Sequence, residues 1–220
     1  GILPVHSTGV ELGYDLAMGS GQLHLRSTIA NGRGNNPDDI RVVDDTNDAK
    51  SVLATIFYDG GGLRVGASGL YDRIAAADAT VRPDLPDETI DEVITNVHFV
   101  LHSGDLQVTA ESYTVLHMTN DDTFRTISSY AMGSYQLDKY RPYFRAEFID
   151  VNGGIDPFFV PDATDPGAAV GRDLVETVTG IRIDVSEWAA LKAEYRFMHP
   201  LKDGTGDDEH VGAVNFAFGI

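Results

Sequence analysis

The stretch at 210–220, HVGAVNFAFGI, constrains the fold more than any other part of the chain. Gly212, Val214, Phe216, Phe218 and Ile220 fall on one face, Ala213, Asn215, Ala217 and Gly219 fall on the other, and no charge follows His210. A period of two with one apolar face is a β-strand. An exposed edge strand of this kind invites association with other chains, and closing the sheet into a barrel removes the edge.

The same period runs back through the chain. Val10, Leu12, Tyr14, Leu16 and Met18 alternate with Glu11, Gly13, Asp15 and Ala17, and a Gly-Ser-Gly turn leads to Leu23, Leu25, Ser27 and Ile29 against Gln22, His24, Arg26 and Thr28. Two such runs joined by a glycine turn make a hairpin. Further strands are predicted at 51–59, 63–72, 92–102, 106–118, 124–137 and 140–150, then one ending near Val185 and one beginning after the Ser186-Glu187 turn. On the last of these, Ala189, Leu191, Ala193, Tyr195 and Phe197 alternate with Ala190, Lys192, Glu194 and Arg196. The reading is a single all-β domain over residues 1–220, an antiparallel barrel of about 11–12 strands.

Connections alternate in length. Tight turns are expected at Gly19, Gly60, Ser103, Asp138 and Ser186, whereas 31–48, 73–91 and 152–172 are long loops rich in Gly, Asn, Asp and Pro. Short turns at one end and long loops at the other are the pattern of transmembrane barrels of the bacterial outer membrane. Composition is compatible with this. No apolar run is long enough for a membrane-spanning helix, and a mean hydropathy of -0.14 is uninformative for strands that are half polar. A net charge of -18 opposes binding to nucleic-acid backbones. Without cysteine there is neither a disulfide framework nor a thiolate metal site.

The runs YQLDKYRPYFRAEFID, GIRIDVSEWAALKAEYRF and VNFAFGI resemble the C-terminal strands of Gram-negative outer-membrane porin-like proteins, and GILPVHSTGVELGYDL followed by NGRG is similar to a mid-chain segment of such barrels. The resemblance implies a water-filled channel for passive diffusion of small hydrophilic solutes or ions. It also implies contact with outer-membrane lipid and lipopolysaccharide, homo-oligomers such as trimers, and a final strand read by the barrel insertion machinery through Phe216, Phe218 and Ile220. Such signals usually end in an aromatic residue, and here Ile220 stands in that place. Bacterial barrels have even strand numbers. Eleven strands therefore imply either a twelfth within residues 1–7 or, the favoured expectation, the C-terminal part of a larger barrel.

Candidate lumen-facing charges are Arg26, Arg64, Arg141, Arg145, Arg182, Lys192 and Arg196, with Glu11, Asp15, Glu111, Glu147, Asp184 and Glu194. Such groups tune ion selectivity in a pore, and as cross-strand pairs they also stiffen the wall. Acidic clusters at Asp38, Asp39, Asp44, Asp45 and Asp48, at Asp84, Asp87, Glu88 and Asp91, and at Asp203, Asp207, Asp208 and Glu209 lack the spacing of a calcium loop and read as solvated surface. His98 and His102 share a strand face, with His24 and His117 on the same side, but four strand residues span about 13 Å, too far to share a metal. His6, Ser7 and Ser103 offer a Ser-His pair with nothing to orient it, and Gly60, Gly61 and Gly62 precede no helix that would cradle phosphate. No enzymatic activity, cofactor or metal is expected. The alternatives are a structural or assembly barrel with a plugged lumen, an outer-membrane hydrolase and a secreted soluble β-sandwich. Tyr14, Tyr71, Tyr135, Phe197 and Trp188 are candidates for aromatic girdles.

Overall fold

A computed structural model describes residues 6–34, 41–42, 49–76, 87–152, 173–201 and 207–218. Thirteen strands are present among them: β1 (His6–Ser7), β2 (Gly9–Met18), β3 (Gly21–Asn31), β4 (Arg41–Val42), β5 (Lys50–Gly60), β6 (Leu63–Ile74), β7 (Ile90–Ser103), β8 (Leu106–Met118), β9 (Thr123–Tyr135), β10 (Tyr140–Asn152), β11 (Leu174–Ser186), β12 (Ala189–Pro200) and β13 (Glu209–Phe218). Eleven of them form one antiparallel sheet in the order β13-β12-β11-β10-β9-β8-β7-β6-β5-β3-β2. Among the described residues β2 and β13 are its edges. The other two, β1 and β4, pair with each other in parallel. The described part of the expected twelfth strand, His6–Ser7, therefore lies outside the large sheet.

Turn chemistry explains the register. At the β5–β6 hairpin Gly61 and Gly62 have φ of 61° and 82°, the left-handed pair that a two-residue type I′ turn requires. Gly19 and Gly104 supply one positive φ each in the β2–β3 and β7–β8 hairpins. Asp138, with φ of 54°, does the same between β9 and β10, a conformation that Asp tolerates better than most residues. These turns and the β11–β12 turn all lie at one end of the sheet, and β3, β6, β8, β10 and β12 end at the other.

Fixed registers sort the residues into two unlike faces. One face carries Val10, Leu12 and Tyr14 on β2, Val52 and Ile56 on β5, Val97 and Phe99 on β7, Phe144 and Phe148 on β10, and Val214, Phe216 and Phe218 on β13. Its charged strand residues, Lys50, Arg73, Asp91, Arg125 and Asp150, all sit at the long-connection end. The opposite face carries the other charges. Exposure is inverted relative to a water-soluble sheet, with Leu12 74% and Val214 73% exposed on the apolar face while Glu92 and Asp72 on the polar face are 0% and 1% exposed. The small apolar cluster of Ile74, Ile90, Ile94 and Val115, with Leu70 and Tyr113 against it, lies on the polar side of β6, β7 and β8. Alternation alone did not anticipate it.

The β5–β6 turn provides a sharp stability test. A Cβ at Gly62 would meet the His102 carbonyl oxygen at 2.3 Å, whereas one at Gly61 meets nothing within 4 Å. Gly61→Ala is expected to cost about 1 kcal/mol, the strain of a left-handed residue, and Gly62→Ala about 2–3 kcal/mol because overpacking is added. Equilibrium urea unfolding followed by Trp188 fluorescence checks the order, and equal midpoints would contradict it.

Candidate functional site

The polar face contains every lumen candidate singled out from the sequence. Its longest network spans β10, β11 and β12, where antiparallel register places Arg145 opposite Val178 and Val178 opposite Arg196. Arg145 Nε lies 2.7 Å from Glu147, and its Nη2 lies 3.9 Å from Glu176. Glu176 is also 3.7 Å from Arg196, whose Nη2 reaches Glu194 at 3.5 Å. Lys192 closes on Glu194 at 2.8 Å, and the Tyr143 hydroxyl donates to the same carboxylate at 2.6 Å.

Gly180 makes that last contact possible. It lies between Tyr143 and Glu194 in the register, and a Cβ there would fall 2.3 Å from the tyrosine ring. The ring crosses the glycine to reach β12, with the Lys192 ammonium 5.4 Å from its centroid. Toward the turn end Arg182 pairs with Asp184 at 2.7 Å, and Arg141 donates to Gln136 at 2.5 Å.

A second network occupies the far side of the sheet. Arg26 sits 2.6 Å from Asp15 and 3.9 Å from Glu11, and His24 also meets Asp15 at 2.7 Å. His24 stacks on Phe57 at 4.4 Å, and Arg64, paired with Asp59, lies over the same ring at 5.6 Å. Between the two networks, Glu111 accepts hydrogen bonds from Asn96 at 3.0 Å and Tyr113 at 2.7 Å. Cations and carboxylates thus alternate along a partly exposed polar face.

Other sequence candidates fall elsewhere. Among the described residues no three His, Cys, Asp or Glu side chains come together in a way that could hold a metal ion. His24, His98, His102 and His117 do share the polar face. Ser103 sits on the apolar face beside the β7–β8 turn, opposite in phase to His102, and His6 and Ser7 lie in β1. Of the acidic clusters, Asp87, Glu88, Asp91, Asp207, Asp208 and Glu209 are described, and Asp208 pairs with His199 at 2.7 Å. Asp38, Asp39, Asp44, Asp45, Asp48, Asp84 and Asp203 lie outside the described residues, as does Ile220. Phe216 and Phe218 point from the apolar face, their rings 4.5 Å apart, and Phe218 stacks on Trp188 at 6.0 Å. Tyr71, Tyr135, Phe197 and Trp188 occupy strand ends or turns, whereas Tyr14 lies mid-strand opposite Leu25.

Sequence reasoning missed Arg33. It is 1% exposed, its guanidinium is 2.7 Å from Glu92, and Glu92 is in turn 2.9 Å from His117 Nε2. Nothing periodic marks a residue in a connection, and a lone Arg between two glycines reads as solvated loop.

The Tyr143–Glu194 contact is testable by a double-mutant cycle. Tyr143→Phe is expected to cost about 1 kcal/mol and Glu194→Gln about 2 kcal/mol, with a coupling on the order of 1 kcal/mol; strict additivity in urea unfolding would show that the hydrogen bond contributes nothing. No family model matches this chain, and no match to it is found among curated proteins.

Proposed function

We propose that the chain forms part of the wall of an outer-membrane β-barrel channel that passes small hydrophilic solutes or ions. The observation that carries this reading is the inverted sheet, with an uncovered apolar face running across all eleven strands and a charged face on the sheltered side. In water that apolar face would be a large association surface, far beyond the patches that soluble monomers expose. Hydrocarbon covers it at no cost to backbone hydrogen bonding, because each interior strand is paired on both sides. On β10 the apolar face is uncharged from Tyr140 through Pro142, Phe144 and Ala146 to Phe148, and at about 3.3 Å per residue and a tilt of about 40° this stretch spans roughly 20 Å of membrane, close to the apolar band of known barrels. The outward charges at the long-connection end then fall in the headgroup layer. Ion pairing there is dense, with Arg73 2.9 Å from Asp91 and Arg125 3.6 Å from Asp150.

Strand direction argues for a larger barrel. Eleven successive antiparallel strands leave β2 and β13 running the same way, so pairing them directly would be parallel. An all-antiparallel closed wall takes an odd number of further strands between these edges, which makes the total even. The polar lining supports a passage for charged and hydrated solutes because its cations and carboxylates replace part of a solute's hydration.

Reconstitution of the complete barrel that contains this chain into planar bilayers tests the channel. Stepwise single-channel currents that persist at low voltage are expected, and Arg145→Gln with Arg196→Gln should shift the reversal potential in a salt gradient toward cation selectivity. Folded, membrane-inserted protein that carries no current would contradict the reading.

A further inference from the structure

Antiparallel register sets three cations side by side near the turn end of the polar face. Arg141 on β10 lies opposite Arg182 on β11, and Arg182 lies opposite Lys192 on β12. Directly opposed residues are about 5 Å apart at Cβ, and like charges placed in this way repel. In a chain of net charge -18 such a row does not follow from composition. Asp184 offsets Arg182, and Glu194 offsets Lys192. Arg141 instead donates from Nε to the Gln136 side-chain oxygen at 2.5 Å, and the Gln136 amide nitrogen donates to the Asp138 carbonyl. Among the described residues no carboxylate pairs with Arg141, so its charge faces that of Arg182 uncompensated.

A recess of about 550 Å³ adjoins this row on its turn side. There the next polar-face positions in register are Asp184, Ala190 and Ala217, and the two methyl side chains leave the floor low. Arg182, Trp188 and Phe218 also line it. Trp188 is 60% exposed and stacks on Phe218 at 6.0 Å with 18° between the ring planes, which fixes the indole and leaves part of it open. An apolar surface with a few polar groups, in a volume of roughly 300–1,000 Å³, is the usual form of a small-molecule site. A membrane-interface girdle accounts for an exposed tryptophan, but not for the like-charged row beside it.

We infer that this recess binds a small organic monoanion with an apolar ring, an aromatic carboxylate in chemical class. Arg182 meets the carboxylate with Arg141 beside it, and the ring lies over Ala190 and Ala217 against Trp188. Guanidinium and carboxylate match in a two-pronged hydrogen bond, and a bound anion relieves the repulsion within the row. Asp184 and Glu187, which also line the recess, oppose ligands of higher negative charge. The site needs the sheet and not the channel.

Isothermal titration calorimetry on the complete barrel that contains this chain, folded in detergent, tests the site with benzoate as the probe. Benzoate is expected to bind saturably, and benzyl alcohol, acetate and inorganic phosphate about tenfold more weakly, since each lacks either the ring or the carboxylate. Arg182→Gln should weaken benzoate about tenfold and Arg141→Gln about threefold. Ala217→Leu fills the recess without touching a charge and should also weaken it about tenfold. Trp188→Phe keeps an aromatic ring and should stay within about threefold of the wild type. Arg125→Gln, on the other face of β9, should change nothing. Benzoate that binds no more tightly than phosphate, or that is weakened as much by Arg125→Gln as by Arg182→Gln, reduces the row to unspecific charge and overturns the site. Ala217→Leu at wild-type affinity overturns it as well. Should Arg182→Gln fail to fold, Arg141→Gln and Ala217→Leu decide. A barrel that binds benzoate as expected and carries no current keeps the site and contradicts the channel.

Discussion

Register along the antiparallel ladder from β2 to β13 is the constraint on which the rest of the structure depends. A slip of one residue would carry Arg145, Glu194 and Glu92 to the apolar face and bring Phe144, Tyr195 and Val93 to the polar one, because side chains alternate with a period of exactly one strand pleat. The tight turns pin the register locally, through Gly61 and Gly62 and through the single positive φ of Gly19, Gly104 and Asp138. Cross-strand pairs reinforce it. Arg26 with Asp15 and Lys192 with Glu194 sit on the polar side, and the Ser112 and Ser129 hydroxyls, 2.7 Å apart, join β8 to β9 on the other.

Ion pairs on the polar wall contribute to stability only modestly. Arg26, Arg145 and Arg196 remain partly exposed, and pairs in contact with water contribute about 0–1 kcal/mol each. Their arrangement has more effect on electrostatics than on folding: Arg26, Arg64, Arg145, Arg182, Lys192 and Arg196 each have a carboxylate within reach, so this face is polar without a large field of one sign. Glu194 is the most heavily used of these groups, accepting from Lys192, Tyr143 and Arg196 together. The knot around Glu92 differs in kind, since Arg33 and His117 meet it away from solvent.

Much of the sheet was legible in the sequence because a period of two survives any reasonable choice of window. The expected strand at 106–118 coincides with β8, and the expected faces of β2, β3, β6 and β12 are those observed. Strand ends were less legible: β7 begins at Ile90 and β6 runs to Ile74, because the residues there are polar on both sides and mask the alternation. Ile90, Ile94 and Val115 were not anticipated on the polar side, since apolar residues on both faces of a strand erase the signal that would assign them. The pairing of β1 with β4 and the inward turn of Arg33 were invisible for a related reason. Both depend on where a connection goes in space, and Gly-rich connections carry no periodic record of direction.

The most direct measurement of the central claim is a nitroxide scan along residues 141–149 of β10 in lipid vesicles, which the cysteine-free sequence allows one site at a time. The account predicts a period of two in accessibility, with Phe144, Ala146 and Phe148 meeting oxygen dissolved in hydrocarbon and Arg141, Tyr143, Arg145 and Glu147 meeting a water-soluble nickel reagent. If positions 144, 146 and 148 proved the water-accessible set, or if the two sets could not be told apart, the apolar face would not be the one that meets lipid and the account would fail.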